Sequence, residues 1–159
     1  MSYLLDSNSF IQPKNTFYSF AGCPSFWDWL IQANRRGCVY SVLRVERELK
    51  EQEDELSKWV DKCGDNFFLA PDNKSVPDLQ EVAQWVQDHA AYTDAARQEF
   101  FRKADYYLIA QARTLGFKVV TFEKHENSIH RVKIPTVCDG VGVKHCNLFE
   151  MLNAEGASF

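Results

Sequence analysis

The 159-residue sequence has no apolar run approaching the roughly 18 residues that a membrane-spanning helix needs. Its N-terminus lacks a basic stretch followed by a long apolar one, so a secretory leader is not expected and a soluble cytoplasmic protein is. It has no C-x-x-C pair, and its five cysteines, Cys23, Cys38, Cys63, Cys138 and Cys146, are odd in number. That argues against a disulfide framework and a structural zinc knuckle, and makes most of them small core residues in a reducing compartment. It has no internal repeat, low-complexity tract or linker, which implies a single domain over residues 1–159. It also lacks a basic excess. The net charge is −4, against the usual signature of a nucleic-acid binder.

What is present is a hydrophobic fraction of 45% and an aromatic fraction of 14%, enough for a packed core. The charge is segregated. Residues 97–144 hold nine Lys/Arg and five Asp/Glu, whereas the remainder holds nine and seventeen. Such a pattern gives either an acidic pocket beside a basic rim or simply unevenly sampled solvated faces.

Strand and helix patterns alternate along the chain. Strands are expected at 3–6, 38–42 (CVYSV), 67–70 (FFLA), 117–122 (FKVVTF) and 134–139 (IPTVCD). Helices are expected at 26–37, at 43–63 as one or two segments, after Pro77, near 94–102, at 104–116 and at 147–152. This order predicts an α/β fold of three layers, α/β/α, around a parallel sheet of about five strands. Ligands of such sheets bind at the carboxyl ends of the strands.

Acids occur there. Asp6 ends the first strand and Glu123 follows FKVVTF. Turns are rich in aspartate, so either alone is equally well explained as a turn residue. Asp105 says more. In ADYYLIAQA it lies three and four residues before Leu108 and Ile109 and so shares the buried face of their helix. A dipole-favoured first-turn acid explains its position but not its face. In SVLRVERELKEQEDE the apolar stripe Val42, Val45, Leu49, Leu56 and Trp59 leaves Glu48 roughly 70° and Glu46 roughly 90° from its centre, at about 100° per residue. Both are boundary positions, and a small error of phase exchanges them. Carboxylates that converge repel one another unless a cation lies among them, and oxygen-only ligation suits Mg²⁺ or Mn²⁺. Such a site fits phosphodiester hydrolysis.

YLLDSN, EREL and ADYYLIAQARTLGFKVVTFE together resemble the PIN domain family of metal-dependent ribonucleases. The stretch VKIPTVCDGVGVKHCNLFEML further resembles a PIN-like bacterial group of uncharacterised, toxin-like proteins, the DUF4411 type. The resemblance covers most of the chain. It implies a PIN-like fold and an endoribonuclease that is the toxin of a toxin–antitoxin pair. RNA would be the substrate, an antitoxin the partner, and a homodimer the assembly. On the family's pattern, Asp6, Glu48, Asp105 and Glu123 would be catalytic and hold the metal. The last position carries Glu123 where the family usually has aspartate. Asn8, Glu46 and Glu126 would support them, Asn8 by orienting Asp6 or a metal-bound water.

For phosphate contact the candidates are Arg102, Lys103 and Lys124, with Arg97, Arg113 and Arg131 behind them. Phe100, Phe101, Tyr106 and Tyr107 interleave with these, and stacking on bases competes with core packing as their role. His145 and Cys146 receive no role. Two other readings stay open. One is a PIN-like protein-binding module without catalysis, in which one of Trp27, Trp29, Trp59 or Trp85 faces a partner. The other is an aspartyl-phosphate phosphatase, disfavoured because Asn8 stands where that motif needs a second acid.

Overall fold

The computed structural model describes all 159 residues, Met1–Phe159. Its strands are β1 (Tyr3–Leu5), β2 (Val39–Val42), β3 (Phe68–Leu69), β4 (Lys118–Val120) and β5 (His145–Cys146). They form one parallel sheet in the order β3-β2-β1-β4-β5. Nine α-helices cover it: α1 (Asn8–Asn15), α2 (Pro24–Arg35), α3 (Leu43–Leu49), α4 (Glu55–Lys62), α5 (Val76–Asp88), α6 (Asp94–Arg102), α7 (Ala104–Leu115), α8 (Ile134–Val141) and α9 (Leu148–Ala154). The result is the expected three-layer α/β/α arrangement around five parallel strands.

The strands are short and apolar because helices cover both of their faces. Leu4, Leu5, Val39, Val42, Val119 and Val120 are all fully buried. Chain order moves outward from β1 in one direction through β2 and β3 and in the other through β4 and β5. The direction reverses between β1 and β4, which pair with Leu5 opposite Val120. That reversal opens a crevice at the carboxyl ends of the two strands. Helix α7 packs over the sheet with Leu108, Ile109 and Ala112 buried, as its stripe requires, and Gly116 closes it with a φ of 72°.

The fifth strand is a correction. IPTVCD is not a strand but the start of α8, with Pro135 in its first turn and Ile134–Cys138 buried on every side. A segment buried all round has no polar face, so alternation and helical period cannot be told apart there. The edge strand is instead His145–Cys146, two residues long. Helix α1 was not anticipated: NSFIQPKN has poor helix formers and an internal Pro13. It is held by Phe10, fully buried against Trp59, Phe67 and Phe68. The 43–63 segment is two helices. Asp54 caps the second by accepting from the Ser57 N–H at 3.0 Å. Of the tryptophans, Trp27 and Trp59 are buried, while Trp29 and Trp85 pack against the core with partial exposure.

Candidate active site at the carboxyl end of the sheet

Asp6 leaves β1 at the crevice, where its N–H donates to the Val120 carbonyl at 3.0 Å and so carries the β1–β4 pairing one residue further. Its side chain is only 3% exposed. One carboxylate oxygen accepts from the Ser9 N–H at 2.8 Å and the Ser9 hydroxyl at 2.7 Å; the other accepts from the Thr121 hydroxyl at 2.7 Å. Burial pushes its pKa up to about 6, with those donors opposing and the Glu123 charge adding to the rise.

Asp105 enters from the first turn of α7. Burial, then the charges of Glu123, Asp6 and Glu48, push it up to about 7, with Lys103 offsetting a part. The donors that hold the carboxylates of Asp6, Glu48 and Glu123 have no counterpart among the hydrogen bonds found at Asp105. Glu48, in the last turn of α3, takes the Ser7 hydroxyl on one oxygen and the Ala104 N–H on the other at 3.3 Å. It thereby ties the start of α1 to the start of α7. Glu123 accepts the Ile134 N–H at the start of α8 at 3.0 Å, and its own N–H donates to the Thr121 hydroxyl at 3.1 Å.

All four acids line one open cleft of about 580 Å³, together with Ser7, Asn8, Lys14, Asp54 and Lys103 among others. Lys14 bridges to Asp54 at 2.8 Å and Lys103 to Glu99 at 2.8 Å, so both cleft lysines are already paired. The influence is felt by the two aspartates: the Glu123 charge adds to the rise at Asp6, and Glu123, Asp6 and Glu48 add to the rise at Asp105. Yet no three His, Cys, Asp or Glu side chains are close enough to enclose an ion at once.

The remaining sequence candidates are distributed differently. Glu46 is not at the cleft; it lies on the side of α3 that faces Cys63, whose thiol burial and the Glu46 charge push up to about 12. The difference follows from helix phase, because Glu48 is two residues further round. Glu126 is exposed, 3.9 Å from Lys133 and outside the cleft. Asn8 stands on the cleft wall but is exposed, and its amide donates to Gln12 at 3.2 Å rather than to Asp6. Lys103 lines the cleft, whereas Arg102 and Lys124 are exposed outside its lining. Arg131 is likewise exposed.

Arg97 and Arg113 are structural. Arg97 donates to the Val86 and His89 carbonyls, and Arg113 to Asp78 and the Val141 carbonyl. Phe100 is buried, the Tyr106 hydroxyl donates to the Leu79 carbonyl at 2.9 Å, and the Arg44 guanidinium lies 4.3 Å over the Tyr107 ring.

The hydroxyls that hold Asp6 were missed. Ser9 carried a signal: it stands three residues after Asp6, the spacing at which an aspartate accepts a helix-opening N–H. Thr121 carried only its place two residues before Glu123.

Fold and cleft define an α/β/α domain with a carboxylate-lined crevice at the reversal point of a parallel sheet. Within that class, the chain belongs to the family described as a domain of unknown function (DUF4411), which matches residues 3–159. No curated protein and no solved structure matches the chain.

Proposed function

We propose that this protein is a PIN-like, Mg²⁺- or Mn²⁺-dependent endoribonuclease that hydrolyses RNA phosphodiester bonds as the toxin of a bacterial toxin–antitoxin pair. The observation that carries this reading is the meeting of Asp6, Glu48, Asp105 and Glu123, from four separate elements, in one cleft where the charges of the others oppose the ionisation of Asp105. Buried like charges destabilise a fold, so a site that gathers them implies a positive ligand.

The donor set fits a hard divalent cation. It is all oxygen, and Asp105 brings a carboxylate on which no protein donor acts. With no ready-made three-residue cage, the ion would be one that keeps several waters, as Mg²⁺ does when held by one or two carboxylates. Asp6, Glu48, Asp105 and Glu123 would hold it, directly or through those waters. When bound, such an ion supplies charge against the phosphodiester and acidifies a water for attack.

The chain's own contribution is orientation. Ser9 and Thr121 fix Asp6, the Ala104 N–H and Ser7 fix Glu48, and the Ile134 N–H fixes Glu123. Asp105 is the acid left free to meet ligand or water. The test is cleavage of labelled single-stranded RNA in Mn²⁺. Asp6→Asn and Asp105→Asn proteins that cut as fast as the parent overturn the assignment. The reading also carries an antitoxin partner and a homodimer, which relief of growth inhibition on co-expression and light scattering examine in turn.

One observation favours a second reading, a partner-binding module without catalysis: no three acids close on a single point. Calorimetry separates the two, since that module has no reason to bind Mn²⁺.

A further inference from the structure

The cleft is acidic, and its two lysines are occupied by Asp54 and Glu99. Within the cleft itself, few phosphate contacts are therefore available to supply the affinity of a nucleic-acid strand, and the exposed Arg102, Lys124 and Arg131 lie outside its lining. At the same carboxyl end of the sheet, just after β4 and β5, lies a surface of another kind. Phe17 and Phe149 are 40% and 46% exposed, and their ring centroids are 5.0 Å apart. Phe122 joins both, at 6.2 and 5.9 Å. Tyr18 links Phe17, at 5.0 Å, to the 45%-exposed Phe159, at 5.4 Å.

This surface is continuous with the carboxylate site along the chain. Phe122 immediately precedes Glu123, and Phe17 follows Asn15, which lines the cleft with the exposed Ile11. Single exposed apolar residues need no explanation, but a connected group at the same end of the sheet as a candidate site does.

Resting on the nuclease reading above, we propose that Phe17, Phe122 and Phe149 form a stacking platform for unpaired bases of the strand whose backbone enters the cleft. Aromatic rings accept any base, because every base has a π face, and they need no net positive charge. They also require bases free of a helix, so the platform selects single-stranded over duplex RNA. Binding is then carried by bases more than by phosphates, and its salt dependence is shallow for the length of strand bound.

The experiment is fluorescence anisotropy with a labelled oligouridylate, and with an abasic strand of the same length, in metal-free buffer across a salt series. The variants are Phe17→Ala/Phe149→Ala and the aromatic-retaining Phe17→Trp/Phe149→Trp, each checked for folding by circular dichroism. The expected result is that the alanine variant weakens oligouridylate binding about tenfold or more, the tryptophan variant restores it, and the abasic strand binds parent and alanine variant alike. In Mn²⁺ the corresponding loss of cleavage falls on KM.

Oligouridylate binding that is unchanged in the alanine variant, or equal to abasic binding in the parent, or absent from the parent altogether, overturns the platform. A parent dimer that the alanine variant dissociates, with oligonucleotide binding intact, assigns the surface to protein contact and also overturns it. Base-dependent binding without cleavage leaves the platform standing and removes the nuclease reading instead.

Discussion

The two ends of the sheet carry opposite charge under different rules. At the amino end, Arg113, Lys118 and Lys144 line a hollow of about 200 Å³ with Met1. Arg113 is paired with Asp78, and Lys144 is exposed to water. At the carboxyl end, Asp6 is buried and Asp105 half-buried beside Glu48 and Glu123, and the pKa values of the two aspartates rise to about 6 and about 7. Solvated or paired charge is what folding tolerates anywhere on a surface. Clustered charge that resists ionisation works against the fold, and its presence at one end only is what the ion site proposed for that end would account for.

The largest effect that bears on this contrast is loss of cleavage. Asp105→Asn and Asp6→Asn should each lower the rate of RNA cleavage in Mn²⁺ by at least about 100-fold, measured on a labelled single strand. Retention of activity in both would make the two ends functionally equivalent.

The next effect is on stability, and its sign follows from the raised pKa values. A carboxyl that is harder to ionise when folded than when unfolded favours the fold at pH below its unfolded value. That advantage disappears as pH rises through the folded value. The metal-free protein should therefore lose stability as pH climbs from about 4 to about 7, the span over which Asp6 and Asp105 charge. Urea unfolding at pH 5 and pH 8 measures it, and Asp105→Asn should flatten the slope. Mn²⁺ should raise the melting temperature more at pH 8 than at pH 5; an equal rise at both would break the link between the clustered acids and the ion.

A smaller change sharpens the account of Asp6. Thr121→Val deletes the hydroxyl donor at 2.7 Å and should cost about 1–3 kcal/mol at pH 8, while moving the Asp6 titration above about 6 in carboxyl-carbon NMR. An Asp6 titration that stays in place would show that this donor does not favour the ionised form. The smallest effect is expected at the amino end. Lys118→Ala and Lys144→Ala should change stability by no more than about 0.5 kcal/mol and leave cleavage unchanged. A substantial loss of activity would give that end a role the contrast denies it.

Legibility in the sequence followed the clarity of local pattern. Tyr3–Leu5 and Lys118–Val120 were readable because apolar runs end in acids, and α7 because Leu108, Ile109 and Ala112 recur at helical spacing before Gly116. The segment after Asp6 gave no such pattern: Ser, Asn and Pro weaken the helix that Phe10 anchors from the core. IPTVCD misled because β-branched residues buried on all sides read as a strand. His145–Cys146 is too short to show alternation. At the site, the acids were visible as strand-terminal and helix-face residues. The hydroxyls that orient them were not, since a serine or threonine in a turn has many uses.

From order and spacing alone came the alternation of strands with helices, and with it a parallel sheet whose carboxyl ends bear Asp6 and Glu123. These are local properties, set by periodicity and by where an apolar run stops. Tertiary packing decided the phase at which α3 sits on the sheet, and so that Glu48 rather than Glu46 reaches the cleft, and that Ser9 and Thr121 hold Asp6. It also decided that Phe17, Phe122 and Phe149 meet on one surface. Each of these depends on distances between residues far apart in the chain, which are fixed only when the helices settle on the sheet.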